Sequence, residues 1–268
     1  MVELGMLKLQ TLLFLLCCVA YSVPVQAVEL QVGAEKVWWQ YQEYTNDAFR
    51  TANQASFLPS QSQGQGVSLT FSVSSELKKE VYFILSGAWM ASTSYATEFW
   101  DIKQTNAIDI QQLDIRLDAE YAVLNHARVG FWLAGRKQAQ SRQDFVVYGI
   151  ATPVAGEPIV ETIRSTWLGL SLIGTGGEQP WKVSAEVAVP LQVEVNNPLF
   201  TNSFYKKSGY RTALKFRWAL PKYKVGIEGL NIMLDYQYQA LGGEKQSDGS
   251  FWPYNRWQTL GFGLLFAS

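Results

Sequence analysis

Leu113–Val123 reads LDIRLDAEYAV. Leu113, Ile115, Leu117, Ala119, Tyr121 and Val123 share one parity, and Asp114, Arg116, Asp118, Glu120 and Ala122 share the other. Successive side chains of a strand point to opposite faces, so this segment has one wholly apolar face and one dense in charge. A soluble sheet accommodates that pattern by turning the apolar face into a core. A transmembrane barrel turns it to lipid and keeps the charges in the lumen. The rest of the chain decides between them.

Working outward, the same alternation recurs. Arg128 to Gln138 sets Val129, Phe131 and Leu133 on one face, after a short turn at Leu124 to Ala127. Val28 to Tyr44 alternates Leu30, Val32 and Ala34 with Gln31, Gly33 and Glu35, and ends in aromatics. Gly66 to Leu77, Val81 to Ser94, Val160 to Ile173 and Trp181 to Val195 follow suit, the last with Pro190 where a bulge near a barrel rim would absorb it. Gly209 to Leu220, a strand from about Lys224 to Ala240, and Arg256 to Phe266 complete the series. Polar stretches at Thr45 to Gln65, after Ser94, Ala139 to Ile159, Asn196 to Ser208 and Leu241 to Asn255 alternate with tight connections. This predicts an all-β fold: a closed antiparallel transmembrane β-barrel of about ten strands, with long outer loops and short periplasmic turns. The soluble alternative, a sandwich or lipocalin-like barrel, fits less well, because the charged parity carries both signs in cluster.

The first residues fit an exported chain. Lys8 precedes the apolar run Leu12 to Ala20, and Val25-Gln26-Ala27 fits the small-residue cleavage rule. We expect a signal peptide over 1–27 and a barrel domain over 28–268, with a bacterial outer-membrane destination. Both cysteines, Cys17 and Cys18, fall in the leader, so thiolate chemistry and disulfides are excluded from the mature chain. A formal net charge of −1 gives no sign of nucleic-acid binding. The aromatic share of 14% suits interfacial girdles, and Trp38, Trp39, Trp100, Tyr205, Tyr210, Trp252 and Trp257 are expected to anchor them.

The layout resembles that of the omptins, the ten-stranded outer-membrane aspartyl proteases. GAWMAS (Gly87 to Ser92) is similar to the omptin segment that carries a catalytic Asp pair around a Trp-Met, and Gln143–Phe145 and Trp167–Leu170 also look omptin-like. The resemblance implies a fold and argues against the activity. Ala88 and Ala91 stand where the Asp pair would be, and NNPLFTNSFYKKS (Asn196 to Ser208) lacks the acid and the His of the family's second half-site. Proteolysis of that kind needs carboxylates and an Asp-His pair to activate water.

Other chemistry is thin. His126, the only His, falls in a predicted periplasmic turn. An enzyme would need convergence among Glu43, Asp47, Glu98, Asp101, Asp109, Asp144 and Glu161. Glu244 and Asp248 read as turn residues rather than a Ca²⁺ site, and no metal or cofactor is implied. Asp114, Arg116, Asp118, Glu120, Arg128, Lys215, Arg217 and Asp235 are expected to form a lumen charge network, with the acids of the opening stretch seeking Arg128, Lys215 or Arg217. Ten strands lie close to the limit at which side chains fill the interior, so this network should plug it. Arg50, Lys103, Lys137, Arg142, Lys206 and Lys207 near the outer rim are candidates to bind lipopolysaccharide phosphates or another anion. The expected partners are outer-membrane lipid, lipopolysaccharide, the barrel assembly machinery and an extracellular ligand. Three readings of function stay open: surface binding, adhesion or envelope structure through the outer loops; a small-solute channel; and an omptin-like hydrolase with a non-standard site.

Overall fold

The computed structural model describes residues 28–44, 60–78, 80–92, 95–99, 104–153, 156, 158–176, 181–198, 203–206, 208–221, 228–245 and 251–268. The expected leader, and most of the first outer loop, lie outside this set. Ten long strands build the wall: β1 Val28–Tyr44, β2 Ser60–Lys78, β3 Val81–Ser92, β4 Gln104–Leu124, β5 Ala127–Val147, β6 Ile159–Thr175, β7 Trp181–Asn196, β8 Gly209–Ala219, β9 Leu230–Leu241 and β10 Tyr254–Ala267. Tyr95–Phe99 carries the line of β3 further out between β2 and β4. Phe204–Lys206 does the same beside β7 for β8.

Each strand pairs antiparallel with its neighbours in sequence. β1 then pairs with β10, from Gln31↔Ala267 to Tyr44↔Tyr254, and the sheet closes. Closure is what lipid demands, since an open edge would leave backbone N–H and C=O groups unpaired in hydrocarbon. An even strand number puts both ends of the barrel domain on the short-turn side.

The alternation reads directly onto the two faces. Leu117, Phe131, Leu133, Leu170, Val187, Val189, Leu214, Phe262 and Leu264 are all outward and exposed, with Phe131 as much as 62% exposed. Such a continuous apolar band has no aqueous use and matches a lipid contact. Asp118, Glu120, Arg136, Glu186 and Arg211 face inward and are buried.

Several boundaries differ from the expectation, all at the ends. β2 starts at Ser60 instead of Gly66, and β5 runs on to Val147 instead of stopping at Gln138. β4 and β5 reach 21 residues each, about twice the 9–11 that a spanning strand needs. Their outer parts rise beyond the bilayer, where the outward face turns polar at Thr105, Asp109, Ser141 and Gln143, so the apolar outward parity that marks a strand disappears there. β9 is described from Leu230, whereas the alternation placed its start at about Lys224; residues 222–227 lie outside the described residues. Pro190 sits at a register shift: Thr166 pairs with Gln192 but Trp167 with Pro190, which leaves Leu191 as the extra residue of a bulge.

Candidate functional site

The candidate site is the lumen, and it has three storeys. The middle one is a charge network. Arg136 on β5 donates to Asp114 on β4 through two nitrogens, Nε to Oδ1 at 2.7 Å and Nη2 to Oδ2 at 2.8 Å. It reaches across to β9 as well, donating to Gln239 at 3.0 Å and Gln237 at 3.3 Å. Arg211 donates to Gln237 at 2.8 Å and lies 3.9 Å from Asp114. Fork geometry suits a guanidinium to a carboxylate, and charge-assisted bonds of this kind are the strong ones.

One layer nearer the periplasm, Arg116 bonds both Asp118 and Glu186, the latter at 2.6 Å. Lys215 bonds the other oxygen of Glu186 at 2.9 Å. The Arg116 guanidinium also lies 4.3 Å from the Trp132 ring centroid, so an aromatic face covers the cation. Arg128 stacks 3.8 Å over Tyr82 and contacts Glu120 at 3.4 Å.

The acids of the opening stretch therefore find partners, but only some of those expected. Glu120 meets Arg128. Asp118 meets Arg116 of its own strand, and Asp114 meets Arg136 and Arg211. Asp114 is held by the Arg136 fork and by Gln112 at 3.0 Å. Asp235 accepts from Gln237 at 2.9 Å, and Arg217 donates to Gln31 at 2.7 Å. The glutamines were missed as members of the network, because an amide carries no charge signal in a sequence. Only their inward parity points to them.

The outer storey is largely apolar, which was not expected of a lumen, with Asn106, Gln138 and Gln140 buried beside the apolar side chains. Val37, Trp39, Tyr41, Met90, Ile108, Ile110 and Trp257 form one buried cluster. Trp132, Ala134, Ile163, Trp167, Ala188, Val193, Val195, Phe204 and Leu241 form another on the facing wall. Trp39 and Trp257 were expected in the lipid girdle. Both instead point inward, 3% and 2% exposed, and stack with ring centroids 5.2 Å apart. They share the odd parity of Glu35 and Gly261, and parity overrides the habit of placing Trp at an interface. Trp38, Tyr205 and Tyr210 do face outward. Trp100 lies outside the described residues.

Above the apolar storey, Tyr41 donates to Glu43 at 2.8 Å, Arg142 donates to the same carboxylate at 3.1 Å, and Asn197 donates to Glu161 at 3.0 Å. Arg142 thus turns into the barrel and does not serve as an outer-rim cation. Arg50, Lys103 and Lys207 lie outside the described residues, and Lys206 is placed only by its backbone pairing with Val193. Lys137 is outward and exposed. His126 is exposed in its turn, where its carbonyl accepts from the Thr175 N–H at 2.9 Å. Among the described residues no group of three or more His, Cys, Asp or Glu could hold a metal ion.

Three interior cavities lie among the described residues of the inner two storeys and reach up to the outer one. A cavity of about 370 Å³ at the periplasmic mouth is lined by Glu29, Arg116, Arg128, Lys182 and Arg217. It shares Ser72, Ser86, Arg116, Lys215 and Arg217 with a second of about 120 Å³. A third, of about 50 Å³, ends against Val37 and Met90. A separate groove of about 410 Å³ lies on the outer surface around Gly135, Lys137 and Arg164.

No family model matches the chain, and no curated protein matches it in sequence. In fold it is similar to the outer membrane protease OmpT from Escherichia coli, with a TM-score of 0.50 at 9% identity over 92% of this chain and 98% of that one. An outer membrane channel from Pseudomonas putida F1 follows at 0.47 and 6%, covering 92% and 97% of the two chains. Ail, the attachment invasion locus protein of Yersinia pestis, gives 0.36 and 10%, over 91% and 100%. These identities speak to architecture alone. On strand number, closure and lumen, the chain is an outer-membrane-type β-barrel with the ten-stranded layout of the omptins.

Proposed function

We propose that this barrel does not conduct solutes and exercises its role at its outer face, as a surface-binding or envelope-structural protein. The observation that carries the reading is the apolar outer storey. Trp39, Trp257, Met90, Ile108 and Ile110 on one wall, and Trp167, Val193, Phe204 and Leu241 on the other, are each no more than 5% exposed. Side chains so fully covered occupy the cross-section where a water-filled pathway would run, which supports a closed lumen. The protease reading draws no support from Ala88 and Ala91, which supply no carboxylate. Planar-bilayer recording of the purified full chain tests the proposal: no stable unitary current is expected, and a reproducible ion-selective conductance would overturn it.

A second reading concerns the partner on the outside. In the surface groove, Leu113, Lys137, Arg164 and Glu194 are register partners in one row across β4 to β7. The row below holds Ile115, Gly135 and Thr166, and a side chain added at Gly135 would meet nothing within 4 Å. Two neighbouring cations above an apolar slot, Arg164 also 3.7 Å from the Glu194 carboxylate, suit a lipid that carries a phosphate over an acyl chain, as lipopolysaccharide does. Lys137→Gln/Arg164→Gln should lower the lipopolysaccharide that co-purifies with the barrel. Retention at the wild-type level would sink this assignment.

A further inference from the structure

We infer that the periplasmic mouth of the barrel holds a seat for a small polyvalent oxyanion, formed by Lys182 and Arg217. The two residues are direct register partners on β7 and β8, and both line the mouth cavity of about 370 Å³. Like charges opposite one another on adjacent strands destabilise a sheet unless something lies between them.

The charges around them are accounted for elsewhere. Five side-chain carboxylates line the same cavity, Glu29, Glu76, Asp118, Glu120 and Glu186, and the last residue, Ser268, lies at its rim. Asp118 and Glu186 are taken by Arg116, Glu186 also by Lys215, and Glu120 by Arg128. Glu29 accepts from Gln31 at 2.7 Å and Ser74 at 3.4 Å on the β1–β2 wall, and Glu76 receives the Glu80 backbone N–H at 3.4 Å. Among the described residues neither Lys182 nor Arg217 has a carboxylate within ion-pair distance, although Asp235 and Glu35 line the adjoining cavity that Arg217 shares.

Arg217 is aimed by the neutral Gln31 amide at 2.7 Å, which holds the guanidinium without neutralising it. Arg128 flanks the same cavity from β5, steadied by the Tyr82 ring. A tetrahedral oxyanion presents several acceptor oxygens, which matches a planar fork, an ammonium and a second guanidinium converging from three strands. The cavity lies below the apolar storey, so the ligand comes from the periplasm. The seat does not depend on what the outer face binds.

Titration calorimetry on the detergent-solubilised full chain, with inorganic pyrophosphate and with inorganic phosphate against chloride at matched ionic strength, tests this. One saturable site per barrel is expected for pyrophosphate, with phosphate weaker and chloride silent. Lys182→Gln and Arg217→Gln should each weaken it at least tenfold, while Lys182→Arg keeps it and Lys137→Gln/Arg164→Gln leaves it unchanged. Heat-modifiable gel migration reports that each variant is folded. Absence of saturable binding to the wild-type chain overturns the proposal whatever the variants do. So does binding that survives both substitutions, or that is lost with the Lys137 and Arg164 pair.

Discussion

Arg136 has two carboxylate oxygens and two amide oxygens within reach of its guanidinium, and is itself buried. Removing it leaves Asp114 with Gln112 and a distant Arg211. Arg136→Met is therefore expected to destabilise the barrel by about 3 kcal/mol, the cost of breaking a buried pair from one side. The double variant Asp114→Asn/Arg136→Met should recover much of that loss, read as the denaturant midpoint of unfolding in detergent. Equal loss in single and double variants would mean that Arg136 acts by packing alone. Gly169 presents the opposite problem. A Cβ there would come within 2.2 Å of the Trp132 indole, and that ring supports Arg116 on its face. Gly169→Val forces the indole away and should cost about 1–3 kcal/mol by overpacking. An unshifted midpoint with unchanged tryptophan emission would refute that account.

At the scale of the strand, β4 is its own test. Leu117 and Leu113 both face outward, but Leu117 lies nearer the middle of the lipid-facing apolar run Leu113–Val123 and Leu113 at its outer end. A cation on the lipid face costs most at the bilayer midplane. Leu117→Arg should lose about 2–4 kcal/mol and Leu113→Arg only about 0–1. Equal penalties in lipid vesicles would show that the band is not a membrane contact. Where the two environments differ in polarity, the strands were legible: the parity of β4 alone separates lipid from lumen. Where they do not, the reading failed. Beyond Gln138, Gln140 and Arg142 continue β5 inward with no apolar partner parity, and so passed for loop. Trp39 and Trp257 were misplaced because composition was weighed above register. Lys36, outward on β1, runs against the pattern altogether. Its ammonium lies 5.2 Å over the Trp38 ring, so the stem crosses apolar surface while the charge sits beside an interfacial aromatic.

For the molecule as a whole, the charges of the opening stretch were legible as interior, but the storeys were not. Which inward residues share a height depends on the stagger between strands, and a single sequence does not contain it. The arrangement can be read from outside by chemistry. With both cysteines falling in the expected leader, a mature chain cleaved there has no thiol, so Ser184→Cys would introduce a single reporter into the mouth cavity. A membrane-impermeant thiol reagent should modify it in cells with a permeabilised outer membrane and leave it untouched in intact ones. Labelling of intact cells would show that the apolar storey leaks. If the storey holds, the barrel is a one-compartment protein despite crossing between two. Whatever occupies its interior equilibrates with the periplasm alone, so the occupancy of the lumen records the cell's own solutes and is indifferent to the medium outside.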